Sequence, residues 1–215
     1  MNNAIFTFDR PQNEPILSYL SGSPERERLI NEISRLSSNP VEIPLIIGGK
    51  EIKTGKTGTL TMPHDHRKIL AIYHQATANE IRMAIDESQK AKQQWESISW
   101  IERSSIMLRA AELLSGKYRA QLVASTMLGQ NKNVYQAEID AACEVIDYLR
   151  YNIYFAGQIY SDQPKSEFGQ LNRMEYRALE GFVFTVSPFN FTAIASNLNM
   201  SVGLMGNTTL WKPAT

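Results

Sequence analysis

GFVFTVSPFNFTAIASNLNMSVGLMGNTTLWKPAT, residues Gly181 to Thr215, is the stretch around which the rest of the chain is organised. Its spacing predicts a strand over 181–186, a tight polar turn over 187–190, an apolar helical segment over 192–205, a Gly-Asn turn and a second strand over 208–211. A buried run that ends in Ser-Pro, followed by a helix and a second β-rich run, is the strand–helix–strand rhythm of a parallel sheet. Ligands of such sheets bind at the carboxyl ends of the strands. Both strand ends carry polar groups that need a reason: Ser187 and Asn190 after the first, Lys212 after the second. The side-chain amide of Asn190, held beside a turn, is suited to donate a hydrogen bond to an oxygen that becomes negative during a reaction. Asn is also a good N-cap, so capping the following helix is the competing assignment. For Lys212 the competing assignment is a solvated lysine at a strand end.

Outside this stretch, composition sets the bounds. A chain of 215 residues, 43% hydrophobic, has enough apolar material for one large or two small domains, and its formal net charge of zero argues against nucleic acid or another polyanion as partner. The longest apolar runs, 43–47 and 181–186, fall far below the ~20 residues of a membrane span, so no membrane role is expected. The opening MNNAIFTFDRPQNEP has neither a secretion-signal nor a transit-sequence pattern, which makes the cytoplasm the expected address. The single cysteine, Cys143, has no internal disulfide partner and agrees with a reducing compartment.

Taken in order, Ser23-Pro24-Glu25 opens a helix with Leu29, Ile30, Ile33 and Leu36 on one face. Residues 41–47, Gly48-Gly49 and 50–53 read as a hairpin, with Pro44 suggesting an edge strand. Residues 57–62 and 68–74 read as further strands around a Pro63-His64-Asp65-His66 turn. That turn is the only place resembling a metal site, and it lacks a third convergent ligand, so no metal is expected. Thr77-Ala-Asn-Glu80 and Ser99-Trp-Ile-Glu102 are capping boxes. Their helices carry inward stripes at Ile81, Ala84, Ile85, Ser88, Ala91 and Trp95, and at Ile106, Ala110, Leu113 and Leu114. A further helical segment over 118–128 stops at Gly129. Arg103, Arg109, Lys117 and Arg119 read as solvated-face charges.

The longest predicted helix, 134–160, has its core stripe at Ile139, Ala142, Ile146, Leu149 and Ile153. Glu138 lies against that stripe, either as an edge glutamate reaching solvent or as a partly desolvated group with a function. Cys143 sits mid-helix beside the stripe with no activating neighbour in sequence and reads as structural. Residues 161–171 are polar and Pro/Gly-containing, a linker; the alternation over 172–179 predicts a strand that joins the earlier antiparallel patch.

Ser-Pro-Phe-Asn-Phe (187–191) followed by Gly-Asn-Thr-Thr-Leu-Trp-Lys-Pro-Ala (206–214) resembles the paired signature of the aldehyde dehydrogenase superfamily. Two motifs in the right order, each at a strand end, are far more specific than one. Within the superfamily the likeness is to the L-glutamate γ-semialdehyde (1-pyrroline-5-carboxylate) dehydrogenases. It rests on Asn-Glu-Pro-Ile-Leu (13–17) running into Gly-Ser-Pro-Glu-Arg (22–26), on Gln-Ala-Glu-Ile-Asp-Ala-Ala (136–142), and on Phe189 where most relatives have Trp. The resemblance implies an α/β fold, the amino-terminal part of an aldehyde-dehydrogenase-like architecture. Its expected segments are a helical arm (1–40), an antiparallel strand patch used in oligomerisation (41–76), the helical part of the cofactor domain (77–160), a linker and oligomerisation strand (161–180), and the start of a Rossmann-like sheet, incomplete here (181–215).

It also implies a reaction in which a cysteine thiolate adds to an aldehyde, hydride passes to NAD, and the thioester is hydrolysed. Asn190 would donate to the oxyanion and Phe191 would wall an aromatic substrate box. Glu138 would support that box in the substrate region. Ser187, Pro188 and Phe189 would lie along NAD, and Lys212 would bond the adenosine ribose hydroxyls. Expected partners are a small-molecule aldehyde and further copies of the chain. The family's nucleophile segment, its Glu-Leu-Gly-Gly-like segment and the rest of the cofactor sheet are not among these 215 residues, so the chain alone is expected to be inactive and to self-associate. Two other readings stay open: an aldehyde dehydrogenase of different specificity, and a stand-alone module that binds a nucleotide or a protein partner.

Overall fold

A computed structural model describes residues 7–214; residues 1–6 and Thr215 lie outside the described residues, and with them part of the leader-sequence reading and the outer limits of the first and last segments. Ser23 caps α1 (Pro24–Ser38), its hydroxyl accepting from the Arg26 N–H, with Pro24 at the start of the helix where an N–H is not missed. Leu29 and Leu36 are buried, but Ile30, one step off their row, faces solvent.

Pro44 divides the strand expected over 41–47. Having no N–H to give to a ladder, it separates β1 (Val41–Ile43) from β2 (Leu45–Ile47). β2 forms the expected hairpin with β3 (Lys50–Ile52). β1 leaves it and runs parallel to β5 (Asp65–His74), which is antiparallel to β4 (Thr57–Met62). The β4–β5 turn is thus only Pro63-His64, because Asp65 already belongs to β5, its carboxylate accepting from the Arg67 N–H and guanidinium.

α2 (Ala78–Ser97) and α3 (Trp100–Ser115) begin at the two capping boxes, each reciprocal pair complete. The stripe expected of α2 is not buried: no residue of that helix is, although Trp95 fastens it by donating its indole N–H to the Gly203 carbonyl at 2.9 Å. In α3 Ile106 is likewise exposed, while Ala111 packs in the core. α4 (Arg119–Gln130) runs through Gly129 and ends where Asn131 turns left-handed at φ 56°. The single long helix expected over 134–160 is α5 (Val134–Ala137), a π-helical stretch (Glu138–Glu144), and α6 (Val145–Ser161). The wider turn buries Glu138 and Asp140 together with Ala141, Ala142 and Cys143. The main core lies where α1, α4, the π stretch and α6 meet, around Leu29, Val123, Ala124, Ile146 and Leu149, with Met62 and Leu70 from the sheet against it.

The strand expected over 172–179 forms no ladder among the described residues. Alternation without a neighbouring strand leaves its backbone to side chains: the Met174 N–H donates to Gln163 Oε1 at 2.8 Å, and the Leu179 N–H to Asn207 Oδ1 at 2.7 Å. The final stretch matches its reading. β6 (Val183–Val186), α7 (Thr192–Leu204) and β7 (Thr209–Lys212) form a strand–helix–strand unit with β6 and β7 parallel, from Val183 opposite Thr209 to Val186 opposite Lys212. Gly206, at φ 86°, makes the turn into β7. No helix among the described residues is long and apolar enough to cross a membrane.

Arg103 and Arg119, read from sequence as solvated, are both buried. Arg103 Nε donates to the Leu204 carbonyl at 2.9 Å, and another nitrogen of the same guanidinium bonds the Ile98 carbonyl. Arg119 is clasped by two carboxylates brought from far along the chain, Glu138 and Glu14, and also donates to the Pro15 carbonyl at 2.7 Å. Burial works against the Arg119 charge, but its bonds to Glu138 and Glu14 outweigh burial and raise its pKa. Glu14 also faces burial; the Ser115 hydroxyl, Arg150 and Arg119 overcome it and hold its carboxyl below the ordinary value. These bonds strap the irregular arm before α1 onto the helices. Arg119→Met would leave the buried Glu138 carboxylate without its cation and Glu14 with Arg150 alone, and a loss of about 3–5 kcal/mol is expected in urea unfolding; a loss below about 1 kcal/mol would contradict it. Glu14 adds a pH signature. Because its pKa is lowered on folding, its contribution is complete above the ordinary carboxylate value of 4.5 and fades as pH falls through the lower folded value. Glu14→Gln is expected to flatten that part of the acid limb.

Candidate active site

Parallel pairing of β6 and β7 sets their carboxyl ends side by side, and Ser187 joins them. Its N–H donates to the Lys212 carbonyl at 3.4 Å, and its hydroxyl accepts the Trp211 indole N–H at 3.1 Å. Ser187, expected along a cofactor, is therefore buried and committed to the strands. Pro188 and Phe189 stand out in solvent, Phe189 with 74% of its surface exposed. The Lys212 ammonium is exposed and makes no hydrogen bond or ion pair among the described residues.

Asn190 is exposed, and its side-chain amide likewise makes no hydrogen bond among the described residues. The capping alternative fails: the N-cap of α7 is Phe191, and no side chain caps the helix from that position. The helix start is held from other elements. Asp140 Oδ1, from the π stretch, accepts the Ala193 N–H at 3.4 Å, and the Thr192 hydroxyl lies 3.1 Å from Thr126 Oγ1 and accepts from Gln130 Nε2 at 3.0 Å. An acidic group at a helix N-terminus also matches the helix dipole. With these groups at the helix start, the Asn190 amide is left unspent.

The loop itself is held by a residue that the sequence reading passed over. Lys132, in the turn between α4 and α5, donates to Asp140 Oδ2 at 2.6 Å and to the Asn190 carbonyl at 2.6 Å. Its ammonium also lies 4.4 Å from the centroid of the Phe191 ring, within reach of a cation–π attraction. A lone lysine between two asparagines carries no local sign of such a contact. Glu138 is not the edge glutamate that one alternative described. It is 0% exposed and fully engaged: Leu17 N–H at 2.9 Å, Tyr19 hydroxyl at 2.7 Å, and Arg119. It thus holds the arm, and any effect on a substrate passes through that packing.

Cys143 faces the same buried cluster, with Arg119 Nη2 3.6 Å from its sulfur. Burial first, and then the Glu138 charge, push its thiol up to about 12 against the opposing pull of Arg119. A thiol that stays protonated at neutral pH is a poor nucleophile. Among the described residues no three or more His, Cys, Asp or Glu side chains gather as a metal site.

Comparison with known proteins gives this geometry a setting. The sequence profile of the Aldehyde dehydrogenase family matches residues 52–215. The chain is 47% identical over 205 residues to a mitochondrial delta-1-pyrroline-5-carboxylate dehydrogenase of Dictyostelium discoideum, covering 95% of this chain and 37% of that protein. Among solved structures, the delta-pyrroline-5-carboxylate dehydrogenase of Mycobacterium tuberculosis bound with NAD superposes with a TM-score of 0.97 at 44% identity, over 99% of this chain and 40% of that one. The 1-pyrroline-5-carboxylate dehydrogenase from Thermus with bound NAD gives 0.87 at 26% identity, over 97% and 40%. The chain thus spans about two fifths of the length of these relatives. With that match over most of its length, the chain belongs to the aldehyde dehydrogenase family.

Proposed function

We propose that this chain supplies the oxyanion donor and part of the cofactor cleft of an NAD-dependent dehydrogenase that oxidises L-glutamate γ-semialdehyde, formed from 1-pyrroline-5-carboxylate, to L-glutamate. The observation that carries the proposal is the unspent Asn190 amide on a loop pinned at the carboxyl ends of two parallel strands. The names of the relatives, and the NAD in two of the solved ones, support the substrate and the cofactor.

The residues at the strand ends fit a dinucleotide. Lys212 offers an ammonium with no partner among the described residues, and Pro188 and Phe189 offer open surface beside it. NAD supplies a hydride acceptor when bound. Lys212 would hold its ribose hydroxyls, and Ser187 keeps the two strand ends in register. Asn190 donates its side-chain N–H to the aldehyde oxygen as a nucleophile adds to the carbon and charge collects on that oxygen. Because this bond strengthens only as charge forms, it speeds the addition more than it tightens ground-state binding. Phe191, half-open beneath the Lys132 ammonium, walls the aldehyde. Glu138 contributes by holding the arm and the π stretch in place. The nucleophile is not Cys143, so these residues alone lack one and turn over no aldehyde.

In the full-length enzyme, Asn190→Ala is expected to lower the single-turnover rate on the order of a hundredfold while leaving the Kd for NAD within about twofold; an unchanged rate would remove the oxyanion assignment. Lys212→Ala is expected to weaken NAD binding by about 1–2 kcal/mol in calorimetry, and an unchanged affinity would return it to a solvated lysine. Cys143 is expected to resist iodoacetamide at neutral pH until denaturant is added; rapid alkylation of the native chain would contradict its burial and raised pKa.

A further inference from the structure

We infer that Lys132, braced by Asp140, is a positioning residue for the oxyanion donor: it fixes the backbone from which the Asn190 amide projects. The inference rests on the reading of Asn190 given above. Three observations carry it. First, the Lys132 ammonium provides the one hydrogen bond that residues 188–190 make among the described residues, to the Asn190 carbonyl at 2.6 Å. Without it the loop between Ser187 and α7 hangs from its two ends. Second, the same ammonium and its carboxylate bracket Phe191. Lys132 takes the carbonyl before it, and Asp140, bonded to Lys132 at 2.6 Å, takes the Ala193 N–H after it at 3.4 Å. The peptide that follows Asn190, and the Phe191 and Thr192 torsions beyond it, are thereby held, which fixes the carbonyl end of the residue that carries the amide. Third, Lys132 stands on a fixed base. The preceding Asn131 is left-handed at φ 56°, and the following Asn133 forms a capping box with Gln136, its side chain accepting from the Gln136 N–H at 2.9 Å and its own N–H donating to Gln136 Oε1 at 3.1 Å.

The arrangement also explains a charge placed where packing alone would not need one. Asp140 is buried, and a buried carboxylate is costly unless paired. An apolar pair at these positions would fill space but would leave the Asn190 carbonyl free to turn. A donor bond sensitive to tenths of an ångström needs its backbone held.

The test is a double-mutant cycle in the full-length enzyme. Lys132→Met is expected to slow single-turnover acylation about ten- to hundredfold in the otherwise wild-type enzyme and less than about twofold when Asn190 is already Ala, because residues that act as a unit are not additive. The Kd for NAD is expected to stay within about twofold, since the Ser187 tie between the strands is untouched. Lys132→Arg, which keeps charge and donors, is expected to recover most of the rate. Should Lys132→Met fold poorly, Lys132→Gln serves in its place, keeping a donor of reduced reach. Equal losses on both backgrounds would show that Lys132 acts independently of Asn190 and would overturn the inference, as would an undiminished rate in Lys132→Met. A silent Asn190→Ala would overturn the oxyanion reading itself and the inference with it, an outcome readable from that single variant before the cycle is closed.

Discussion

Two strands that run the same way need a crossover between them, and in this chain the crossover is α7. The site depends on that one constraint. Because β6 and β7 are parallel, the turn after the first and the lysine that ends the second emerge on the same side, which no hairpin could arrange. The crossover must then be held at a fixed height above the strands. Two buried charges do this from opposite ends, Asp140 at the first turn of α7 and Arg103 at the Leu204 carbonyl near its last. Their signs match the helix dipole, positive at the start and negative at the end. Asn199 ties the middle, accepting from the Thr185 hydroxyl of β6 at 2.7 Å while its amide donates to the Ala195 carbonyl at 3.0 Å.

The same device, a buried charge serving backbone or a distant partner, recurs in the helical layer. The arm before α1 places Tyr19 and Leu17 on the core, and Glu14, Arg119 and Glu138 hold it by charge as well. Buried ion pairs add less net stability than their contacts suggest, since desolvation offsets most of the attraction. What they add is selectivity of place: an arm shifted by a residue would strand several charges without partners. The π-helical stretch links the two regions. It presents Glu138 to the arm and Asp140 to α7 within three residues, so the arm and the crossover are referenced to one short segment.

What could be read in the sequence was local. The strand–helix–strand unit was legible because its Ser-Pro and Gly-Asn turns punctuate it, and the starts of α1, α2 and α3 because caps act within three or four residues. The family was legible from paired motifs at those strand ends. Arg119 was misread because its partner Glu14 lies 105 residues away, and a charge pattern along one helix carries no sign of it. The π stretch escaped because one extra residue in a turn barely disturbs helical periodicity over so short a run. The alternation of 172–179 misled in the other direction, a strand-like pattern with no strand beside it. Of the proposed site, Asn190 and Lys212 could be singled out by position, whereas Lys132 could not, since its contact with the Asn190 carbonyl exists only after the loop has been folded back over it.

The most direct test of the account is a crystal structure of the full-length enzyme with NAD and L-glutamate bound together. The account predicts a carboxylate oxygen of the glutamate side chain within hydrogen-bond distance of Asn190 Nδ2, the ribose hydroxyls on Lys212, and Lys132 still on the Asn190 carbonyl. Glutamate seated away from Asn190, or a cofactor that leaves Lys212 in solvent, would contradict it.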